Sequence, residues 1–196
     1  MSDLGGGRRF AWLLGVVAAL AVVGTSTAAV VVDHDRGRFE VRAGTQSVRV
    51  PEHGWVKQSQ PVGYLGRDGQ PLVGVSGGAV YDVGWCPADR SYNHAIVGFV
   101  PRGDRAIAEI ARDWGAAITL DPRTGKHAGP VRLTFRGADR VDADLTSPSG
   151  LCNPPRVHLS VVSAGRSALV LVRDLDLDDV LTPHDADEIL DSLTSR

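Results

Sequence analysis

The sequence predicts an α+β domain, a mostly antiparallel sheet flanked by helices, behind a single N-terminal transmembrane helix. Three observations lead there. Short strand-like segments follow one another through turn signals such as Arg67-Asp68-Gly69-Gln70, the Asp-Gly pair of a tight hairpin. Two helical patterns stand well apart, one in mid-chain and one at the C-terminus, which suits helices laid on a sheet. And Phe10 to Val32 carries no charged residue.

That uncharged run, taken at about 1.5 Å rise per residue, reaches roughly 34 Å, enough for a hydrocarbon core of about 30 Å. Arg8 and Arg9 precede it and Asp33, His34 and Asp35 follow. Residues 1–9 therefore read as a cytoplasmic N-terminus, 10–32 as the membrane anchor, 33–38 as a linker and 39–196 as an extracytoplasmic domain. The competing reading is a cleaved signal, with Ser26-Thr27-Ala28 supplying small residues and the chain secreted after a cut near Ala28. Val30 to Val32 prolong the apolar run and favour the anchor. Both readings export the domain.

Within the domain, Phe39 to Val50 alternates loosely as strand, and Pro51-Glu52-His53-Gly54-Trp55 is a turn delivering a large aromatic. Leu72 to Tyr81 reads as a Gly-interrupted strand and His94 to Val100 as an apolar one. Asp104 is the expected N-cap of a helix whose Ile107, Ile110, Ala111, Trp114 and Ile118 recur on one face, and Asp121-Pro122 ends it. Three strands follow, Val131 to Phe135, Arg140 to Leu145 and Val157 to Val162. Ala168 to Val172 is wholly apolar and so belongs at the sheet's centre. Thr182, Pro183 and Asp185 open the last helix, with Ala186, Ile189, Leu190 and Leu193 as its stripe.

Composition narrows the function. The 196 residues carry 21 Lys+Arg against 23 Asp+Glu, a net charge of −2, so no basic footprint for nucleic acid exists. Two cysteines cannot build a four-cysteine metal site. In an exported domain, Cys86 and Cys152, both in turn-rich settings, read most simply as one disulfide joining two loops. Free thiols or a catalytic cysteine are the alternatives, but there is no C-x-x-C and no helix start beside either residue.

The succession Pro51-Glu52-His53-Gly54-Trp55, Cys86, the helix past Trp114, Cys152-Asn153-Pro154-Pro155 and the closing Ile189-Leu190-Asp191-Ser192-Leu193 resembles an actinobacterial family of membrane-anchored or secreted domains of unknown function, numbered 8017. It is also similar to the PsbP-like α/β/α sandwiches that include LpqN-type envelope lipoproteins, though this chain has no lipid-accepting cysteine near its apolar run. The resemblance covers about residues 38–196 and implies a fold; it implies no catalytic residues.

The strings that imitate chemistry are weak. Gly74-Val75-Ser76-Gly77-Gly78 spells G-x-S-x-G, but extended residues follow where a nucleophile elbow needs a helix. A hydrolase order of Ser76, Asp144 and His158 can be written, and a Gly-rich strand with a bulge explains the string equally well. Asp174-Leu175-Asp176-Leu177-Asp178-Asp179 starts like a calcium loop yet lacks the Gly and the terminal Glu. The six histidines show no metal-ligand spacing. Arg102-Gly103-Asp104 reads as a helix start. Trp114 is core by periodicity, whereas Trp55 and Trp85 are either core plugs or a partner surface. The expectation is thus a non-enzymatic domain without cofactor or metal, tethered through residues 10–32, that binds an envelope protein or lipid. A small-molecule or lipid carrier with a pocket between sheet and helix is the alternative, and a Ser76 hydrolase a remote one.

Overall fold

The structure, a computed structural model, describes residues 37–84, 86–87, 92–148, 150, 152, 154–175 and 181–195. The chain divides into residues 1–38 and 39–196, and the account below is of the second unit. Residues 10–32, expected to be a membrane anchor, lie outside the described residues. Among those described, no helix is long and apolar enough to cross a membrane.

The long antiparallel sheet takes its order from apolar content. Its strands run β3 (Trp55–Lys57), β5 (Pro71–Tyr81), β6 (Ala95–Pro101), β10 (Ser167–Asp174), β9 (Arg156–Ala164), β8 (Arg140–Thr146) and β7 (Thr134–Arg136), with β4 (Val62–Leu65) paired to β5. Strand β10 stands in the middle because both its faces are apolar. Ala168, Val170 and Val172 join one buried cluster, and Leu169 and Leu171 join the other, as strand periodicity requires. On the first face lies helix α1 (Ile107–Thr119), which sets Ile110 and Trp114 against Val141, Leu159 and Val161. On the second lie helix α2 (Pro183–Asp191) and a small sheet of β1 (Arg38–Ala43), β2 (Gln46–Pro51) and β11 (Thr194–Ser195). Val41, Val48, Val50, Ile189 and Leu190 pack there with Phe99, Leu169 and Leu171.

Two expected boundaries move. Helix α1 starts at Ile107 with Ala106 as a cap that lacks a side-chain bond, not at Asp104. The segment before it is already committed: the Arg102 and Gly103 N–H groups donate to the Arg166 carbonyl in the β9–β10 turn, and Arg105 N–H donates to Arg102. Of Val131 to Phe135, only Thr134 and Phe135 pair, within β7. Val131 and Leu133 pack against the first core cluster without a ladder, so burial rather than pairing produced their alternation. The start of α2 is as expected, a full capping box in which Thr182 Oγ1 accepts from Asp185 N–H and the Asp185 carboxylate accepts from Thr182 N–H.

Candidate functional site

Between the end of α1 and the sheet, the packing opens into a cleft of about 700 Å³. Its floor is Ile96, Val157 and Val172 from three adjacent strands, and Ile118 of α1 forms a wall. These residues face it for the reason they are apolar, since they continue the α1-side stripe of their strands beyond the point where the helix stops. Leu120 follows in extended backbone, ending α1. Leu65, 59% exposed, and Leu72, 45% exposed, belong to the β4–β5 hairpin, and Leu65 and Leu120 both line the cleft. The lip is therefore apolar and open to solvent.

The deep end is polar. His94 and Asp174 end adjacent antiparallel strands, Asp174 N–H donating to the His94 carbonyl at 2.9 Å. Both side chains are buried, and His94 Nδ1 lies 3.5 Å from Asp174 Oδ2. On its other side, His94 Nε2 is 3.4 Å from the carboxylate of Asp82, which has a left-handed backbone at φ 50°. Tyr64 enters from β4 and sets its ring edge-on to Trp114 at 6.2 Å. Burial first, then the neighbouring Tyr92 and Asp174, push the Tyr64 phenol well above the ordinary tyrosine range. At the rim, the Asp121 carboxylate accepts from Thr124 Oγ1 and Arg123 N–H, which hold it below the usual carboxylate range.

The disulfide closes one end of the same cleft. Cys86 and Cys152 are bonded, with Cα atoms 5.7 Å apart, and Cys152 and Pro154 are among the lining residues. The bond holds the segment after β5 to the segment between β8 and β9. Trp85 lies outside the described residues. Trp55 does not form a surface: it is 5% exposed and packs edge-on to Tyr81 at 5.5 Å. A turn followed by an edge strand still buries it, because β1 and β2 cover that corner of the sheet.

The candidate hydrolase residues are divided. Ser76 is exposed in mid-strand, opposite Phe99, where the β5–β6 register shifts before Ala79. Three strand spacings separate β5 from β9, roughly 14 Å, so Ser76 and His158 never meet. Asp144 and His158 do meet as direct cross-strand partners, His158 Nδ1 to Asp144 Oδ1 at 2.6 Å. The serine beside them is Ser160, its Oγ 3.2 Å from His158 Nε2. This resembles a nucleophile relay in distance alone. Ser160 is 1% exposed, and its hydroxyl is hydrogen-bonded to Asp142, so the serine faces a carboxylate and no substrate. Arg140 completes the ladder, donating to Asp142 and to Asp187 of α2, each at 2.8 Å. Of the calcium-like string, Asp176, Asp178 and Asp179 lie outside the described residues, and Asp174 turns toward His94. Among the described residues, no cluster of three His, Cys, Asp or Glu could hold a metal.

Residues 40–195 match the model of a domain of unknown function, DUF8017. The chain belongs to the DUF8017 family. The matched span takes in both cysteines, both helices and the cleft of this DUF8017 domain. No curated protein matches it. Among solved structures it is similar to the solution structure of cyanobacterial PsbP (CyanoP) from Synechocystis sp. PCC 6803, at 11% identity and a TM-score of 0.48, covering 81% of this chain and 91% of that one. The cleft residues of the DUF8017 domain had no local sequence signal. His94 and Asp174 are far apart in the chain, and only the β6–β10 pairing brings them together.

Proposed function

We propose that this DUF8017 domain is an exported, membrane-tethered, non-enzymatic binding module whose cleft takes one acyl or alkyl chain of an amphiphile. The observation that supports this reading is the cleft itself. Its volume falls within the few hundred to a thousand Å³ usual for small-ligand sites, its floor is aliphatic, and its lip presents the exposed Leu65 and the half-buried Leu120. The polar deep end supplies the few oriented groups that fix a ligand's direction. Burial of Trp55 weakens the leading expectation of protein binding, which drew on an exposed aromatic patch, and favours the carrier alternative. The uncharged run 10–32 with Arg8-Arg9 before it supports tethering, and would hold the domain near its source of amphiphile.

The test uses the full chain in phospholipid nanodiscs and a photoreactive monoacylglycerol with a twelve-carbon chain carrying a diazirine near its end. Labelling is expected on peptides bearing Ile96, Ile118 and Val157, and Ile118→Trp, which fills the cleft, should abolish it. Each methylene removed from a competing chain should weaken competition by about fourfold, since a buried methylene contributes about 0.8 kcal/mol. Labels scattered over the surface, unchanged in Ile118→Trp, would defeat the reading.

A further inference from the structure

We infer that the tip of the β4–β5 hairpin, together with the turn after α1, docks on an anionic phospholipid bilayer, its leucines entering the interface and its cations meeting lipid phosphates. This surface presupposes the tethered module proposed above and adds how that module meets the membrane. Leu65 is 59% exposed and Leu72 45% exposed, and only the hairpin turn and Pro71 separate them. The turn is closed by its own backbone, Gly66 N–H donating to the Gln70 carbonyl at 2.8 Å and Gly69 N–H to the Gly66 carbonyl at 3.0 Å. Leu120 joins the two leucines: it lines the cleft with Leu65, and a shallow hollow with Leu72 and Arg67.

Cations surround these leucines. Arg67 at the tip, and Arg123 and Lys126 in the turn after α1, are exposed. The two acids beside them accept from backbone N–H groups, Asp68 from Gln70 and Asp121 from Arg123. Three cations thus stand against two acids here, whereas the whole chain carries 21 Lys+Arg to 23 Asp+Glu. Long basic side chains keep their charge in water while their stems lie along apolar groups, so leucines beside cations suit a bilayer interface. A stable protein interface buries about 1,200 Å² or more, far beyond two half-exposed leucines. Such a tip binds a membrane weakly alone, but tethering makes the contact intramolecular and raises its effective concentration. In the tethered module, six residue steps join Val32 to Arg38, a reach of at most about 20 Å, so the domain stays at the bilayer surface. Docking there turns the cleft mouth, at Leu65 and Leu120, toward the source of amphiphile.

The experiment takes the full chain, its Leu and Val methyls isotopically labelled, in nanodiscs of phosphatidylcholine and phosphatidylglycerol that contain a lipid with a nitroxide high on its acyl chain. The Leu65, Leu72 and Leu120 methyl signals should be lost by paramagnetic broadening. Those of the exposed Val56 and Val83, at the far end of β5, should persist. Arg67→Gln should lower the docking equilibrium constant about fivefold, since one cation near an anionic surface contributes about 1 kcal/mol. Discs of phosphatidylcholine alone should lower it further. In Leu65→Ser/Leu72→Ser the Leu120 signals should return; if that chain fails to fold, the wild-type pattern and the two lipid compositions decide. Equal broadening of Leu65 and Val56 would overturn the docking surface and leave the tether. So would Leu65 and Leu72 signals that persist in a chain whose cleft still takes the photolabel, or broadening unchanged by both Arg67→Gln and the loss of phosphatidylglycerol. Signals that persist but shift with protein concentration would assign the tip to a second copy of the chain and overturn it equally. A chain that does not enter the discs would overturn the tether and the docking surface together.

Discussion

Two side chains, the buried Asp142 and the half-buried Tyr64, show how single groups tie this fold to pH. Burial would raise the Asp142 carboxyl, but hydrogen bonds from Arg140 and Ser160, with the positive charges of Arg140 and His158, outweigh it and hold the group below the usual range. A carboxyl depressed in the folded state adds stability that is present above the unfolded value near about 4 and is lost as pH falls through the folded one. Asp142→Asn should therefore flatten the stability–pH curve below about pH 4 and cost about 1–2 kcal/mol at neutrality, because Arg140 loses the buried one of its two anions and keeps only Asp187; urea unfolding across that range checks both. Tyr64 works in the opposite direction. Its phenol is raised, so above about pH 10 the unfolded chain releases a proton that the native state keeps, and stability falls with rising pH. Tyr64→Phe should remove that part of the alkaline loss, read from unfolding midpoints between about pH 9 and 11. Neither behaviour was visible in the residues alone: Asp142 takes its bonds from Arg140 on its own strand and Ser160 on the paired one, and Tyr64 takes its surroundings from Tyr92, Trp114 and Asp174, distant in the chain.

At the scale of elements, strand β5 shows what the G-x-S-x-G string is for. Gly77 sits at φ +65° with open space around it, while a Cβ on Gly78 would lie 2.5 Å from the Val97 carbonyl oxygen and 2.7 Å from Val75 Cγ2. One glycine thus supplies the left-handed turn of the register shift and the other lets β5 and β6 close tightly. Gly78→Ala should destabilise by about 1–3 kcal/mol through overpacking, whereas Ser76→Ala, on an exposed position, should change thermal stability by under about 0.5 kcal/mol. Thermal melts of both variants distinguish a structural glycine pair from a nucleophile elbow. Elements with strong internal signals were legible: the wholly apolar Ala168 to Val172 of β10, the α1 stripe around Trp114 and the capping box of α2 all sit where the pattern put them. Helix α1 starts two residues late because the Arg166 carbonyl accepts from the Arg102 and Gly103 N–H groups and Arg105 N–H donates to Arg102, which holds residues 102–105 in a turn fixed from across the fold.

For the whole molecule, the disulfide is the feature that joins stability to the proposed cleft. In the chain-entropy account, tying residues 66 apart stabilises by up to about 4 kcal/mol. The Cys86→Ala/Cys152→Ala chain should lose a large part of that and also lose photolabelling of the cleft under conditions where it remains folded, since Cys152 forms part of the wall. Labelling that survives in the folded double variant would separate the disulfide from the site.

The sequence by itself determined the α+β class, the central strand, both helices, the charge balance that argues against nucleic acid, and a pair of cysteines fit to be bonded. Each is a local or compositional property, carried by a period of two or 3.6 residues, a cap, or a count. Only the tertiary structure decided that Trp55 is core, that Asp144 and His158 pair with Ser160 in place of Ser76, and that His94, Asp174 and Tyr64 share one cleft. Those facts depend on which strands become neighbours. Strand order follows from the burial of whole faces against one another, and no short stretch of residues encodes it.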